Sequence, residues 1–193
     1  MFDYHLILNF LAGFAIGIIP VQYLILKNIS ITADGLSFKY KLILFCTDFV
    51  KGFAGANLLV FFYYNGFAET VVSIFALLLA NLIIEVKRKT VFNSPAVILG
   101  ALLWFNYLFF FAWFVIWILL LIYKRKSFFA NTFSALLMMI MVVLYADRFN
   151  SNCNPPAESD LIFIISSLVL IILQAGIYYK NFISFFYKET GNE

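Results

Sequence analysis

Residues 41–62 read KLILFCTDFVKGFAGANLLVFF, and how this stretch is read decides the fold. It is long enough to cross a bilayer, whose hydrocarbon core takes about 20 helical residues. Yet Asp48 and Lys51 stand inside its apolar run. On a helix the i,i+3 spacing puts both charges on one face, within reach of each other. Gly52, Gly55 and Ala56 come next, and small residues there let a neighbouring helix approach closely. A charge inside a span costs roughly 2.5–3.5 kcal/mol on insertion scales, so it faces the bundle interior or a polar cavity. Two readings are open: an internal ion pair that pins helices together, or a polar floor beneath a substrate pocket. The second is preferred.

Outward from this stretch, the whole chain has the same character. Of 193 residues, 64% are hydrophobic, 12% are charged and 25 are Phe. Soluble domains are nearer half apolar and a quarter charged, so the composition predicts an integral membrane protein with a single transmembrane domain. The expected fold is all-α. Nucleic acid is not an expected partner, because no soluble face clusters Lys and Arg. Cys46 falls within a span and Cys153 in a hydrophilic loop, so no disulfide joins them. His5 is the only histidine, and no Cys or carboxylate cluster has metal-ligand spacing, so neither a metal nor another cofactor is expected.

Upstream, residues 4–26 form the first span, with Gly13, Gly17 and Pro20 inside it. Pro20 lacks a backbone donor and should kink the helix. No basic residue precedes this apolar run, so a charged leader is not expected. The second span is 41–63. The third, 67–86, contains Asn81 and Glu85 and ends in Lys87, Arg88 and Lys89. Asn93-Ser94-Pro95 then reads as a helix start, a capping side chain followed by proline at the first helical position. Residues 95–123 would make one helix of about 43 Å, against a core of about 30 Å. A break near Asn106-Tyr107 divides them into spans 95–105 and 107–123. Spans 128–145 and 161–179 complete the set, separated by the hydrophilic segment 146–160.

The distribution of basic residues supports seven spans. With the N-terminus outside and the C-terminus cytosolic, Lys27, Lys39, Lys41, the triplets 87–89 and 124–126, Lys180 and Lys188 all lie inside. That is 11 of the 13 basic residues, whereas six spans would put the two triplets on opposite faces. The expected location is the inner (plasma) membrane, multi-pass. The aromatic run from Trp104 to Trp117 is read as lipid-facing bulk and interfacial anchoring.

This topology collects the polar residues at the cytosolic side. Ser30 and Thr32 stand in the first loop, Lys87, Lys89, Asn93 and Ser94 in the second, Ser134 near the start of the sixth span, and Asn181 in the tail. A helix N-terminus at Pro95 beside lysines suits a phosphate, since orphan amides and the helix dipole favour an anion. The same lysines also suit orientation of the protein and contact with anionic lipid headgroups.

Taken together, these segments resemble the acyl-phosphate:glycerol-3-phosphate acyltransferase family, small seven-span bacterial membrane enzymes. Gly17-Ile18-Ile19-Pro20 is similar to that family's Gly-Ser-Ile-Pro, and Asp48-Phe49-Val50-Lys51-Gly52 to its Asp-x-x-Lys-Gly. Residues 127–136, SFFANTFSAL, are similar to the segment opening its sixth span, and residues 179–191 to its basic-x-Asn-Ile tail. The departures lie in the loops. Only Gly35 stands in the first loop, where the family carries a Gly-rich phosphate signature. Ala80-Asn81 replaces a Gly-His, and Arg88-Lys89-Thr90-Val91 or a near neighbour replaces a Gly-Gly-Lys-Gly turn. Glycines let a backbone wrap a phosphate, and an Asn cannot serve as a histidine base.

The resemblance implies acyl transfer from acyl phosphate, or another activated acyl donor, to glycerol 3-phosphate at the cytosolic interface, as a step in phospholipid synthesis. Asp48, Lys51 and Asn81 become the catalytic candidates. Gly52, Ser30, Thr32, Lys87, Lys89, Asn93, Ser94, Ser134 and Asn181 become the substrate-binding ones. The rival expectation is a catalytically inactive relative, a lipid-binding or scaffolding subunit with a membrane-protein partner. A transporter is disfavoured, because the chain has one buried charge pair and no internal repeat.

Overall fold

The computed structural model describes residues 4–26, 37–57, 66–88, 95–124 and 127–176, and the regular elements within them are all α-helices. They are α1 (Tyr4–Gly17), α2 (Val21–Leu26), α3 (Phe38–Asn57), α4 (Phe67–Arg88), α5 (Ala96–Phe105), α6 (Tyr107–Lys124), α7 (Ser127–Leu144), α8 (Ala146–Ser151) and α9 (Asp160–Gly176). Four stretches are long and apolar enough to cross a membrane: Tyr4–Ile25, Phe67–Ile84, Tyr107–Lys124 and Ser127–Leu144. Ala96–Phe105 and Asp160–Gly176 are shorter apolar helices. The chain is a helical membrane protein.

Glycine determines which helices meet. α1 lies along α4 because Gly13 and Gly17 put bare backbone against the Ser73 and Leu77 carbonyls. α3 lies equally close to α5: a Cβ on Gly52 would run into the Val97 carbonyl oxygen, and one on Gly100 into that of Phe49. Such small-residue seams replace the hydrophobic driving force, which lipid does not supply between helices. α4 is the hub, packing against α1, α3, α5 and α9. Ser73 reinforces it by donating from Oγ to the Gly55 carbonyl at 3.2 Å.

The break between α5 and α6 falls at Asn106, whose backbone is extended at φ −158°, ψ 93°. Its N–H closes α5 on the Leu102 carbonyl at 2.7 Å. Its side-chain oxygen caps α6 by accepting from Phe109 N–H at 2.9 Å. Its amide donates to the Phe149 carbonyl at 2.7 Å and to Cys153 Sγ at 3.0 Å. One fully buried side chain thus ends one helix, starts the next and fastens the 145–160 segment to the bundle. Asn106→Ala should cost about 2 kcal/mol, since it removes a cap and strands a buried carbonyl. Thermal unfolding in detergent checks this, and a loss no larger than the roughly 0.5 kcal/mol of an ordinary surface change would contradict it.

The hydrophilic segment after α7 is folded rather than a bare connection. Phe149, Cys153 and Ala157 are buried, and Asn150 ties its two ends by accepting from Ala157 N–H at 2.8 Å and donating to Asp160 Oδ1 at 2.9 Å. Burial pushes the Cys153 thiol up to about 12, with the Asn106 hydrogen bond acting in the opposite direction.

The aromatic run corrects the lipid-facing expectation. Phe105, Phe109, Trp113 and Trp117 recur every four residues and are all buried. Tyr107, Phe111, Val115 and Leu119 form the exposed stripe between them. Two polar residues of α7 draw the indoles inward: Trp113 donates to Ser134 Oγ at 3.1 Å and Trp117 to Asn131 Oδ1 at 2.6 Å. Both stripes are apolar, so hydropathy alone does not tell them apart.

Candidate functional site

Pro20 creates the site. A proline inside a helix removes one ladder donor and disrupts the turn before it. Here α1 ends at Gly17, and after the break Val21 N–H turns back to the Ile19 carbonyl at 3.0 Å. Carbonyls at the end of α1 therefore need donors from elsewhere, since water is absent from a bilayer core. Lys51 of α3 supplies them. Its ammonium donates to the Gly17 carbonyl at 2.8 Å, to the Ile19 carbonyl at 2.9 Å and to Asn81 Oδ1 of α4 at 2.9 Å. A cation at a helix C-terminus also complements the dipole.

One turn earlier on α3, Asp48 is held by a different partner. Gln22 of α2 donates from Nε2 to Asp48 Oδ2 at 2.6 Å, a short distance suited to an ionised acceptor. Each charge is thus held by its own amide, Gln22 on the acid and Asn81 on the base. All four side chains are buried. Asp48 lies ten residues, about 15 Å, along α3 from Phe38, well inside the helix rather than at its end.

These groups surround a small cavity of about 20 Å³, lined by Ile19, Pro20, Val21, Gln22, Tyr23, Asp48, Lys51, Asn81 and Ile84. That is room for about one water molecule. The carboxylate, the ammonium and two amides converge on it, which suits a small polar group. Among the described residues no cluster of His, Cys, Asp and Glu could hold a metal ion.

The structure brings together Asp48, Lys51 and Asn81 from three distant parts of the sequence. Gly52 adjoins them but faces Val97, where it serves the α3–α5 crossing. Ser134 is elsewhere: it is buried on α7 against Trp113, and α7 packs on α6 and α9. The backbone of Lys87 lies in the last turn of α4, and its side chain is outside the described residues. Ser30, Thr32, Lys89, Asn93, Ser94 and Asn181 also lie outside the described residues.

Sequence reasoning missed Gln22. The available signal was its position, a lone amide two residues after Pro20 in the apolar VQYLIL. Two segments that carry the acyltransferase resemblance, 17–20 and 48–52, meet at this cavity. Comparison with family models, with curated proteins and with solved structures returns no match.

Proposed function

We propose that this chain is a seven-span protein of the inner (plasma) membrane, N-terminus outside, and that it transfers acyl groups to a small polar alcohol at the cytosolic interface. The observation that carries the reading is the Asp48 carboxylate: buried, aimed by Gln22 and lining a polar cavity inside a membrane helix. Buried carboxylates in lipid-embedded helices are costly and mark sites of function. The resemblance supplies the reaction class, with acyl phosphate as donor and glycerol 3-phosphate as acceptor.

In this reading Asp48 takes the proton from the acceptor hydroxyl as its oxygen attacks the acyl carbonyl. A carbon–oxygen bond forms to the acceptor, the bond from the acyl carbon to phosphate breaks, and the proton passes to the departing phosphate. Lys51 does not act as a mobile phosphate ligand, because its ammonium is spent on Gly17, Ile19 and Asn81. It fixes the geometry and balances the developing negative charge. Asn81 holds Lys51 in that position.

A second reading keeps the scaffold without the chemistry, as a lipid-binding or scaffolding subunit of a membrane complex. The cavity favours it, since about 20 Å³ admits a water and not a three-carbon alcohol. Purified protein in nanodiscs, given acyl phosphate and labelled glycerol 3-phosphate, separates the two. Turnover is expected. Its absence from folded protein, with acyl phosphate and with acyl-CoA alike, would leave the scaffold reading in its place.

A further inference from the structure

The walls of the cavity are unequal. One side is α3 and α4, which contribute Asp48, Lys51, Asn81 and Ile84 and are locked by the glycine seams. The other is the break and α2, residues 19–23. α2 is six residues long, and among its described side chains only Gln22 is buried. Tyr23 is 44% exposed and Leu24 60%. Its main packing neighbour is α3. Segments with so few buried contacts open at low free energy.

Lys51 sharpens the contrast. By gripping the Gly17 and Ile19 carbonyls it anchors the end of α1 up to the break, and its grip does not extend to the residues beyond Pro20. The hinge therefore falls at Pro20–Val21. Across it, the Gln22 amide reaches the Asp48 carboxylate.

We propose that α2 is the gate of the cavity and that Gln22 is its latch, a positioning residue that covers Asp48 until an acceptor arrives. The identity of the entering molecule, a hydroxyl-bearing polar one, rests on the acyl-transfer reading, but the motion is measurable without it. When α2 swings out, the water-sized cavity gains the volume of the departing wall. The entering hydroxyl then takes the place of the Gln22 amide on the carboxylate. Opening and exposure of the base become one event, so the carboxylate is hidden from water while the site is empty. Coupling closure to completion of a site in this way is a common use of short hinged segments.

Ile84→Cys, made in a Cys46→Ser background, places a thiol on the cavity wall. The native Cys153 is buried with its thiol pushed up to about 12, so it does not compete for reagent. A charged maleimide should label the introduced thiol slowly in nanodiscs. Adding Gln22→Ala should raise that rate about tenfold, as loss of a hydrogen bond to a carboxylate shifts the open population. Spin labels at Leu24 and Leu42 should show a broadened, longer distance in the same variant, while a Leu11–Leu42 pair stays unchanged and reports an intact bundle. Unchanged labelling together with an unchanged Leu24–Leu42 distance overturns the gate. Opening without acyl transfer would retain the gate and discard the enzyme reading; transfer with a rigid α2 would do the reverse.

Discussion

Gly52→Ala and Gly100→Ala should each destabilise the protein by about 3 kcal/mol, the upper range for overpacking a core. At both positions a methyl group would run into backbone: the Val97 carbonyl for Gly52, the Phe49 carbonyl for Gly100. Backbone cannot turn aside as a side chain does, so α3 and α5 must separate. Separation would loosen the seam that holds Asp48 and Lys51 at their depth, and the aromatic contact of Phe49 with Phe110 would open with it. Gly176→Ala is the control, since nothing lies within 4 Å of an added Cβ there. Denaturant unfolding in bicelles measures all three. Equal stability of Gly52→Ala and Gly176→Ala would mean that α3 and α5 do not cross so closely.

Lys51→Met should be comparably damaging, by about 3–5 kcal/mol, because one substitution removes every role of a buried cation. The Gly17 carbonyl and Asn81 Oδ1 lose the Lys51 donor, and Asp48 loses the nearby positive charge. None of these groups has water to turn to at that depth. The double variant Asp48→Asn, Lys51→Met should recover part of the loss, since no uncompensated carboxylate remains. Non-additivity between the two is the signature of coupling. A fully additive cycle would indicate that the charges act independently.

Much of the architecture was legible because polar residues inside apolar runs carry disproportionate information. The kink at Pro20, the break at Asn106 and the starts of α4 and α6 lie where proline, asparagine and charge placed them. Asp48, Lys51 and Asn81 were visible as costly groups that must find partners. Their actual partners were not visible: two backbone carbonyls at the end of α1 and the amide of Gln22 depend on how a broken helix returns to a distant one. The orientation of α6 was illegible for a different reason. With aromatic and aliphatic residues on both faces, its inner side is chosen by Asn131 and Ser134 on another helix. Ser134, read as a substrate ligand from its place near a cytosolic end, is occupied in that packing. The folding of residues 145–160 was likewise hidden, because Asn150 and Cys153 look like ordinary loop residues until Asn106 and Asp160 are beside them.

In the proposed reaction Asp48 carries the chemistry and Lys51 the architecture, and Asp48→Asn separates these roles within one sample. An asparagine keeps the shape and an oxygen to accept from Gln22, so the fold should survive. Stability and acyl transfer are measured on the same nanodisc preparation with acyl phosphate and glycerol 3-phosphate. The expected result is unfolding within about 1 kcal/mol of the parent, with turnover reduced about a hundredfold or more, as for loss of a general base. Turnover undiminished in a stable Asp48→Asn protein would contradict the claim that this carboxylate is the reason the cavity exists.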